Sequence, residues 1–341
     1  MWLALLVVLL WLFAPGLFGS QVPAFRDAYH FYYPQAVWLE HCARQGDWFP
    51  KWNPNEGTGV SVAGQPSAAL YYPLRVLWFV PWLTTAQRFS VVIVAHLLIA
   101  AAGMHYAARQ LSLSPTAGWL AAISYCLSCP VVFQHSNLIY LCSAAWIGFA
   151  LGGVFGWFKH SQALRARRAW TTAIVFAVAC SLMLLAGDPQ TAVNALLVSG
   201  ALLAIGAIGN KQTVLANGAW WLVSGTLFVL LTAVQWLPAW HWSQLSGRVG
   251  AERNELTSSI AVIDQILKRP TLSTHTSYDF SLAPWYVLTL IWPTLGGDYL
   301  PSNSRLFAAL PAEGRMWIPS MYIGFIPCLL VAGGLWRSAT R

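Results

Sequence analysis

The chain has 341 residues, of which 57% are hydrophobic and only 9% are charged, whereas about 25% is usual for a soluble domain. So little polar surface cannot cover a water-soluble globule of this size, and that class is excluded. The net charge of +8 at pH 7 does not indicate a nucleic-acid-binding protein either, because the largest basic group, Lys159 to Arg168, lies between two apolar runs.

Repeated apolar runs predict a polytopic helical membrane protein, since a helix of about 20 apolar residues crosses the hydrocarbon core of a bilayer. No basic residue precedes the first run and no small-residue cleavage site follows it, so we expect an uncleaved span rather than a signal peptide. Eight spans are predicted: residues 1–18, 89–108, 115–133, 138–158, 169–186, 191–209, 214–237 and 319–336.

Two long polar stretches interrupt these spans: outer loop 1, about residues 20–88, and outer loop 2, about residues 238–318. Each contains an apolar piece too short to span, residues 74–83 and 285–295. We interpret these pieces as helices that lie along the membrane surface or, for the second, re-enter it. The predicted fold is therefore all-α, a single transmembrane domain over residues 1–341, with about eight spans and short interfacial helices in two long loops.

The charges fall on one side of this arrangement. The short links and the C-terminal end hold eight basic residues and no acidic residue, whereas all eleven Asp and Glu fall on the other side with the remaining eleven basic residues. Basic short loops are cytoplasmic in membrane proteins. The sequence therefore predicts a bacterial inner (plasma) membrane protein with both termini in the cytoplasm and both long loops facing outward.

Asp27 is the first candidate for chemistry, because it stands just beyond the first span between Arg26 and His30 in the segment FRDAYHFYYP. A carboxylate at the outer mouth of a helix bundle can act as a general base or hold an acceptor hydroxyl. The alternative is a carboxylate paired with Arg26 or simply solvated. The aromatic setting favours a functional role.

Asp188 is the second candidate. The segment Gly187-Asp188-Pro189-Gln190 interrupts an otherwise apolar hairpin. Asp is a common turn former, so a plain turn is the alternative interpretation. On the predicted topology, however, Asp188 emerges on the same outer face as Asp27. Two carboxylates there could share a divalent metal such as Mg²⁺ or Mn²⁺, or could divide the roles of base and positioning group.

Other polar and aromatic residues give weaker signals. Rings in outer loop 1 could stack on sugar faces, although interfacial anchoring explains most of the 20 Trp. Arginines and lysines of outer loop 2 could bind a phosphate, although solvated roles are the default. His135 and Asn137 lie at a turn between two spans, where turn formation is the default.

The sequence lacks the motifs that are typical of several classes of function. The sequence contains no Walker loop, no G-x-G-x-x-G after a strand, no H-E-x-x-H and no nucleophile elbow. ATP-driven transport and membrane metalloprotease activity are therefore disfavoured. No Asp, Glu, Lys or Arg lies in the middle of a span, as a proton-coupled transporter usually requires.

Three blocks of sequence resemble a known family. FRDAYHFYYP, GDWFPKWNP and the following AGQP and Tyr-Pro form the first block, GDPQ is the second, and YIGFIP is the third. In this order they resemble the bacterial YfhO-like membrane proteins, which belong to the GT-C class of glycosyltransferases. Such proteins generally run longer, so the resemblance implies an N-terminal part or a shortened relative.

The resemblance implies an enzyme that takes a sugar from a polyprenyl-phosphate carrier on the outer face and transfers it with inversion to an envelope glycan, lipid or protein. Asp27 would activate or position the acceptor, and Asp188 would be a second acid. A lateral groove between spans would hold the prenyl chain. The residues expected to bind substrate are Arg26, His30, Tyr33, Trp52, Asn53, Gln65, Tyr72, Gln190, Lys268, Arg269 and Arg315.

Two alternatives from other classes remain. A transporter or flippase of lipid-linked glycans would use the same groove without chemistry. A non-catalytic subunit of an envelope-polymer pathway would need neither carboxylate.

Overall fold

The computed structural model of the chain describes residues 1–23, 25–162, 166–208, 211–245, 284–295, 297 and 318–339. Helix accounts for 76% of the structure, so the predicted all-α class is confirmed at that level. Most of outer loop 2 lies outside the described residues. The main helices are α1 (Trp2–Leu12), α2 (Ala14–Leu17), α3 (Tyr33–Arg44), α4 (Thr85–Gln110), α5 (Pro115–Cys126), α6 (Cys129–Val132), α7 (Leu138–Gln162), α8 (Ala166–Leu185), α9 (Pro189–Gly206), α10 (Lys211–Leu245) and α11 (Phe325–Ala339).

Five of these helices, α4, α7, α8, α9 and α10, are long and apolar enough to cross a membrane, and α5 with α6 adds a sixth if the broken pair counts as one span. Helices α1 and α11 contain shorter apolar segments. The chain is thus a membrane protein with about five long apolar helices among the described residues. The count of eight spans remains a prediction.

Two predicted spans are each divided into separate helices. The first run breaks at Phe13, because Pro15 lacks a backbone N–H and begins a new turn. Gly16 in that turn packs on α4, where an added Cβ would meet the Ser90 hydroxyl at 2.1 Å. The third run breaks after Cys126, and Pro130 occupies the first turn of α6.

The chain forms two compact units, one of Met1–Leu127 with Gln134–Pro238 and one of Ser128–Phe133 with Ala239–Arg341. In the first unit α4 packs along α7, and α7 along α8. Glycines allow the close approach of α4 and α7, since a Cβ on Gly148 would lie 2.3 Å from the backbone carbon of Gly103. Small residues at contacts are the usual means of packing helices in a membrane.

An aromatic core joins α7, α8 and α10. Trp220 is fully buried, with its ring centroid 5.1 Å from Phe176 and 5.9 Å from Trp157. The indole N–H groups are satisfied, because Trp220 donates to Thr172 at 3.1 Å and Trp157 to Asn217 at 2.7 Å. By contrast, only 17% of α9 and 22% of α10 is buried across their apolar windows, which leaves apolar surface for lipid.

Outer loop 1 is an ordered cap rather than a simple loop. It contains a π-helical turn (Ala28–Tyr32), α3, a small hairpin of β1 (Trp52–Asn53) and β2 (Val60–Ser61), and 3-10 helices at Pro66–Ala68 and Pro73–Phe79. The antiparallel hairpin pairs Trp52 with Ser61. Helix α3 packs on α4 and on the second 3-10 helix, which occupies most of the short helix predicted for residues 74–83.

The second unit has its own set of contacts. A 3-10 helix (Pro284–Leu290) matches the start of the short helix predicted for residues 285–295. The hydroxyl of Thr289 accepts a hydrogen bond from the backbone N–H of Met321 at 2.9 Å, and the N–H of Cys129 donates to the carbonyl of Tyr322 at 2.9 Å.

Candidate functional site

The ends of the helices in the first unit differ in chemistry. At one end Lys159, near the end of α7, donates a 3.0 Å hydrogen bond to the carbonyl of Arg109 at the end of α4. At the other end, the start of α7 meets both Asp27 and the turn that carries Asp188. The charge pattern of the sequence predicts such a separation, and which end faces the cytoplasm remains a prediction.

Asp27 is held by the residue that precedes α7. The side-chain amide of Asn137 donates from Nδ2 to Oδ2 of Asp27 at 2.8 Å, and its Oδ1 accepts from the hydroxyl of Tyr32 at 2.7 Å. Asn137 and Tyr32 are buried. Burial, reinforced by the carboxylate of Asp27, raises the pKa of the Tyr32 hydroxyl, which therefore stays protonated as a donor. The amide of Asn137 is thus oriented with its N–H groups toward the carboxylate.

A sharp turn of the backbone presents Asp27 to α7. Arg26 has φ of 56°, in the left-handed region that costs a residue with a side chain about 1–2 kcal/mol. The π-helical turn Ala28–Tyr32 follows at once and carries Tyr32 back to Asn137. Strain and a π-turn at one place are frequent at functional sites.

Asp188 caps α9 with one of its carboxylate oxygens. Oδ1 accepts from the backbone N–H of Thr191 at 2.9 Å, which is the geometry of an N-cap. The side chain is only 2% exposed, and Oδ2 is buried without a hydrogen-bond partner among the described residues. A simple N-cap is normally exposed to water, so burial of this second oxygen calls for a further partner.

The turn of Asp188 is locked against outer loop 1 and α7. Gly187 has φ of 106°, and a Cβ there would lie 2.7 Å from Ile139 and 2.8 Å from the carbonyl of Pro66. Only glycine fits this position.

Tyr140 lies near both carboxylates. It lies on the first turn of α7 and interacts electrostatically with Asp188, Asp27 and Arg26. Contacts with Asn137 and Ile139 place both acidic loops beside the same turn of this helix. The expectation that Asp27 and Asp188 share one end of the bundle agrees with this arrangement.

An apolar groove begins at the Asp188 turn. It holds about 350 Å³ between α7, α8 and α9, and is lined mainly by aliphatic side chains such as Ile147 and Val198. Met183 and Thr191 line it, and both bond to Asp188 through the backbone: the N–H of Asp188 donates to the carbonyl of Met183 at 3.2 Å, and Thr191 donates to Oδ1. The groove is thus apolar, and two of its lining residues bond to Asp188.

A smaller cavity of about 50 Å³ lies between outer loop 1, α4 and α7. Its wall includes a chain of hydrogen bonds in which Trp146 donates to the hydroxyl of Tyr72 at 2.9 Å, and that oxygen lies 2.8 Å from Nε2 of His96. Nδ1 of His96 lies 2.7 Å from the carbonyl of Val92, so Nδ1 donates and, in the neutral imidazole, Nε2 accepts from Tyr72. Burial raises the pKa of the Tyr72 hydroxyl.

The remaining predicted residues of outer loop 1 differ in their positions. His30 is exposed one turn after Asp27, and the ring of Tyr33 lies against Phe89, centroid to centroid at 6.4 Å. Trp52 is half exposed and covers Gly59. Asn53 is buried and accepts from the N–H of Asn55 at 3.0 Å, which is a turn-forming role.

Gln65 and Gln190 lie in the two loops that meet at Gly187. Gln65 directly precedes Pro66, and its Oε1 is buried without a hydrogen-bond partner among the described residues. Gln190 is exposed on the first turn of α9, two residues after Asp188. The predicted phosphate-binding residues Lys268, Arg269 and Arg315 lie outside the described residues.

Four residues of this region were not among the candidates predicted from the sequence. Asn137 was interpreted as a turn residue, and its role depends on a partner 110 positions away. Tyr140, His96 and Arg75 lie within or beside apolar segments. Of these, only Arg75 carried a signal, namely a formal charge in a short apolar helix.

No group of three or more His, Cys, Asp or Glu side chains suited to a metal occurs in the described part of the chain. Asp27 and Asp188 would together supply two carboxylates to an Mg²⁺ or Mn²⁺ ion, which also accepts water and substrate phosphate as ligands. The metal remains a hypothesis for this pair.

No protein-family model, curated protein or solved structure matches the chain.

Proposed function

We propose that the protein is a membrane glycosyltransferase that transfers a sugar from a polyprenyl-phosphate carrier to an envelope glycan, lipid or protein on the outer face of a bacterial inner membrane. The observation that carries this proposal is that Asp27 and the turn of Asp188 both meet the start of α7, through Asn137 and Ile139. Met183 and Thr191, which bond to Asp188, also line an apolar groove.

Asp27 is the catalytic base in this proposal. The acceptor hydroxyl attacks the anomeric carbon of the donor and gives its proton to Asp27, while the bond from that carbon to the phosphate oxygen breaks and its electron pair leaves with the lipid phosphate. Attack opposite the leaving group inverts the anomeric centre. Asn137 binds one carboxylate oxygen and so fixes the orientation of the other.

Asp188 positions the donor or a metal ion at the same end. Its buried Oδ2 has no hydrogen-bond partner among the described residues, and a movement of its neighbours would open it to a sugar hydroxyl or a cation, while Oδ1 remains tied to the N-terminus of α9. The groove takes the first isoprene units of the carrier, since its lining is mainly aliphatic and it lies between spans. A membrane-borne donor needs no nucleotide-binding fold, in agreement with the absence of such motifs from the sequence.

Mass spectrometry of envelope glycans and lipids from cells with and without the gene tests this proposal. We expect one glycosylated product to disappear without the gene and a lipid-linked sugar to accumulate. If lipid-linked glycan instead accumulates on the inner leaflet, and a variant lacking the Asp27 carboxylate restores export, the protein is a transporter and the proposal is wrong.

A further inference from the structure

A further pocket lies within outer loop 1 and the start of α4, and the proposed chemistry does not use it. Its volume is about 390 Å³, within the range of roughly 300–1,000 Å³ that is usual for small-molecule sites. The described residues that line it include neither Asp27 nor Asp188. Those that could recognise a ligand are Glu40, Arg44, Trp48, Phe79 and Arg88.

Trp48 supplies an aromatic wall of this pocket. Its side chain is 52% exposed, so the ring has surface that a ligand can contact. Phe79 packs against it edge to face, with ring centroids 5.1 Å apart and an angle of 76° between the rings. This packing restrains the indole without covering it, and a restrained aromatic ring is a suitable surface for the apolar side of a ligand.

Glu40 and Arg44 supply a polar wall. Nη2 of Arg44 donates to Oε1 of Glu40 at 2.6 Å, and Nη1 of Arg88 lies 2.7 Å from Oε2. The side chain of Arg44 is 75% exposed and that of Glu40 is 15% exposed, so both can be contacted from the pocket that they line. A guanidinium carries five N–H donors, so Arg44 retains donors for a ligand while its bond to Glu40 helps to hold it in place.

A ring beside an exposed ion pair is best matched by a ligand that is both apolar and hydroxylated. An acyl chain would leave the charges of Glu40 and Arg44 facing hydrocarbon, which is costly. A phosphate group would meet the carboxylate of Glu40 on the same wall as the guanidinium. A pyranose ring suits both walls, because its C–H face packs on an indole and its hydroxyls donate to a carboxylate and accept from a guanidinium.

We propose that this pocket binds one pyranose unit of a saccharide, with Trp48 as the stacking surface and with Arg44 and Glu40 as hydrogen-bonding partners of the hydroxyls. The site goes beyond the proposed function, because it requires neither Asp27 nor sugar transfer.

The test is saturation-transfer difference NMR on the full chain in phosphatidylcholine nanodiscs. Aromatic protons are irradiated, since the lipid has none, and empty nanodiscs give the background. The probes are the methyl glycosides of glucose, galactose and N-acetylglucosamine, each titrated separately. We expect saturable transfer to the C–H protons of at least one glycoside. Trp48→Ala should weaken its apparent affinity about tenfold, whereas Trp82→Ala should bind like the wild type. Trp82 is the matched control, because it is an exposed tryptophan of the same loop that is not among the described lining residues.

Arg44→Gln provides a second variant, which changes an exposed side chain and so should fold even if Trp48→Ala does not. We expect it to bind about 2- to 10-fold more weakly than the wild type. Asp27→Asn should bind as tightly as the wild type, so that failure of sugar transfer and failure of saccharide binding are told apart. The proposal is overturned if no glycoside is saturated above the level of empty nanodiscs, or if folded Trp48→Ala or Arg44→Gln keeps wild-type affinity.

Discussion

Asn137 donates a 2.8 Å hydrogen bond from Nδ2 to Oδ2 of Asp27, although the two residues are 110 positions apart in the chain. The bond fixes the loop that follows α1 and α2 onto the start of α7. It also leaves the carboxylate partly exposed at the end of the bundle.

Asn137→Ala should therefore slow sugar transfer by about 10- to 100-fold through loss of positioning, with a fall in kcat and little change in KM for the lipid donor. The measurement is the initial rate of product formation in membranes. Asn55→Ala, at an exposed turn, is the matched control and should retain the wild-type rate.

Loss of the amide also leaves the buried Tyr32 hydroxyl without its acceptor, at a cost of about 1–3 kcal/mol. The double variant Tyr32→Phe with Asn137→Ala should recover much of that stability but not the rate. If the double variant recovered the stability and the transfer rate equally, Asn137 would act on folding alone.

Substitutions at Asp188 distinguish the N-capping role of Oδ1 from the role of the second carboxylate oxygen. Asp188→Asn keeps the oxygen that accepts from Thr191 and places an amide NH2 where the buried, unpartnered Oδ2 stood, so we expect its Tm to lie close to that of the wild type. Asp188→Ala removes the cap and should cost about 1 kcal/mol relative to Asp188→Asn. Both variants should lose transfer activity. An active Asp188→Asn enzyme would reduce Asp188 to a structural cap.

The ion pair of Glu40 and Arg88 should make stability depend on pH. Burial raises the pKa of the Glu40 carboxyl, but hydrogen bonds from Arg88, Thr85 and Arg44 outweigh burial, so the net pKa lies below its ordinary value of 4.5. A lowered pKa in the folded state means that the stabilisation is fully present above pH 4.5 and is lost as the pH falls through the folded value.

We expect Glu40→Gln to lower the free energy of unfolding by about 2 kcal/mol at neutral pH, because buried Arg88 loses its charged partner. The difference from the wild type should shrink in thermal unfolding measured below pH 4.5. Arg44→Gln serves as the control and should cost less than about 0.5 kcal/mol, since its pair with Glu40 is exposed. A pH-independent Glu40→Gln effect would contradict the ion-pair account.

Sugar transfer should be sensitive to side-chain volume added inside the groove between α7, α8 and α9. Ala195→Leu places three further carbon atoms in the groove, so it should reduce transfer from the lipid carrier while leaving Tm unchanged or raised. Ala216→Leu, on the exposed face of α10, makes the same chemical change outside the groove and should have no effect. Unchanged transfer by Ala195→Leu would place the lipid chain elsewhere.

The sequence predicted the helical class from local patterns, and it singled out Asp27 and Asp188, whose catalytic role remains a prediction. Apolar runs specify the long helices such as α4 and α7, and an acid beside a helix end stands out in so apolar a chain. The breaks at Phe13 and Cys126 were missed, although Pro15 and Pro130 were there to suggest them. Helix α3 was also missed, since its 12 residues are on average too polar to form an apolar run.

The contacts of the site could not be predicted from a single sequence. Asn137 reaches Asp27 only because α7 begins beside outer loop 1. A local sequence pattern cannot predict this contact, because the two residues are 110 positions apart. Arg75 is buried in a 3-10 helix that packs on α3 and α4, a contact that a single sequence does not show, so an apolar stretch with one charge was interpreted as a surface helix.

The most direct test of the proposed chemistry is the Asp27→Asn variant, expressed in cells that lack the gene and followed by mass spectrometry of envelope glycans and lipid-linked sugars. We predict a folded protein at the wild-type level that restores less than about 1% of the missing product, since the general base is lost. Full restoration of the product by this variant would contradict a catalytic role for Asp27.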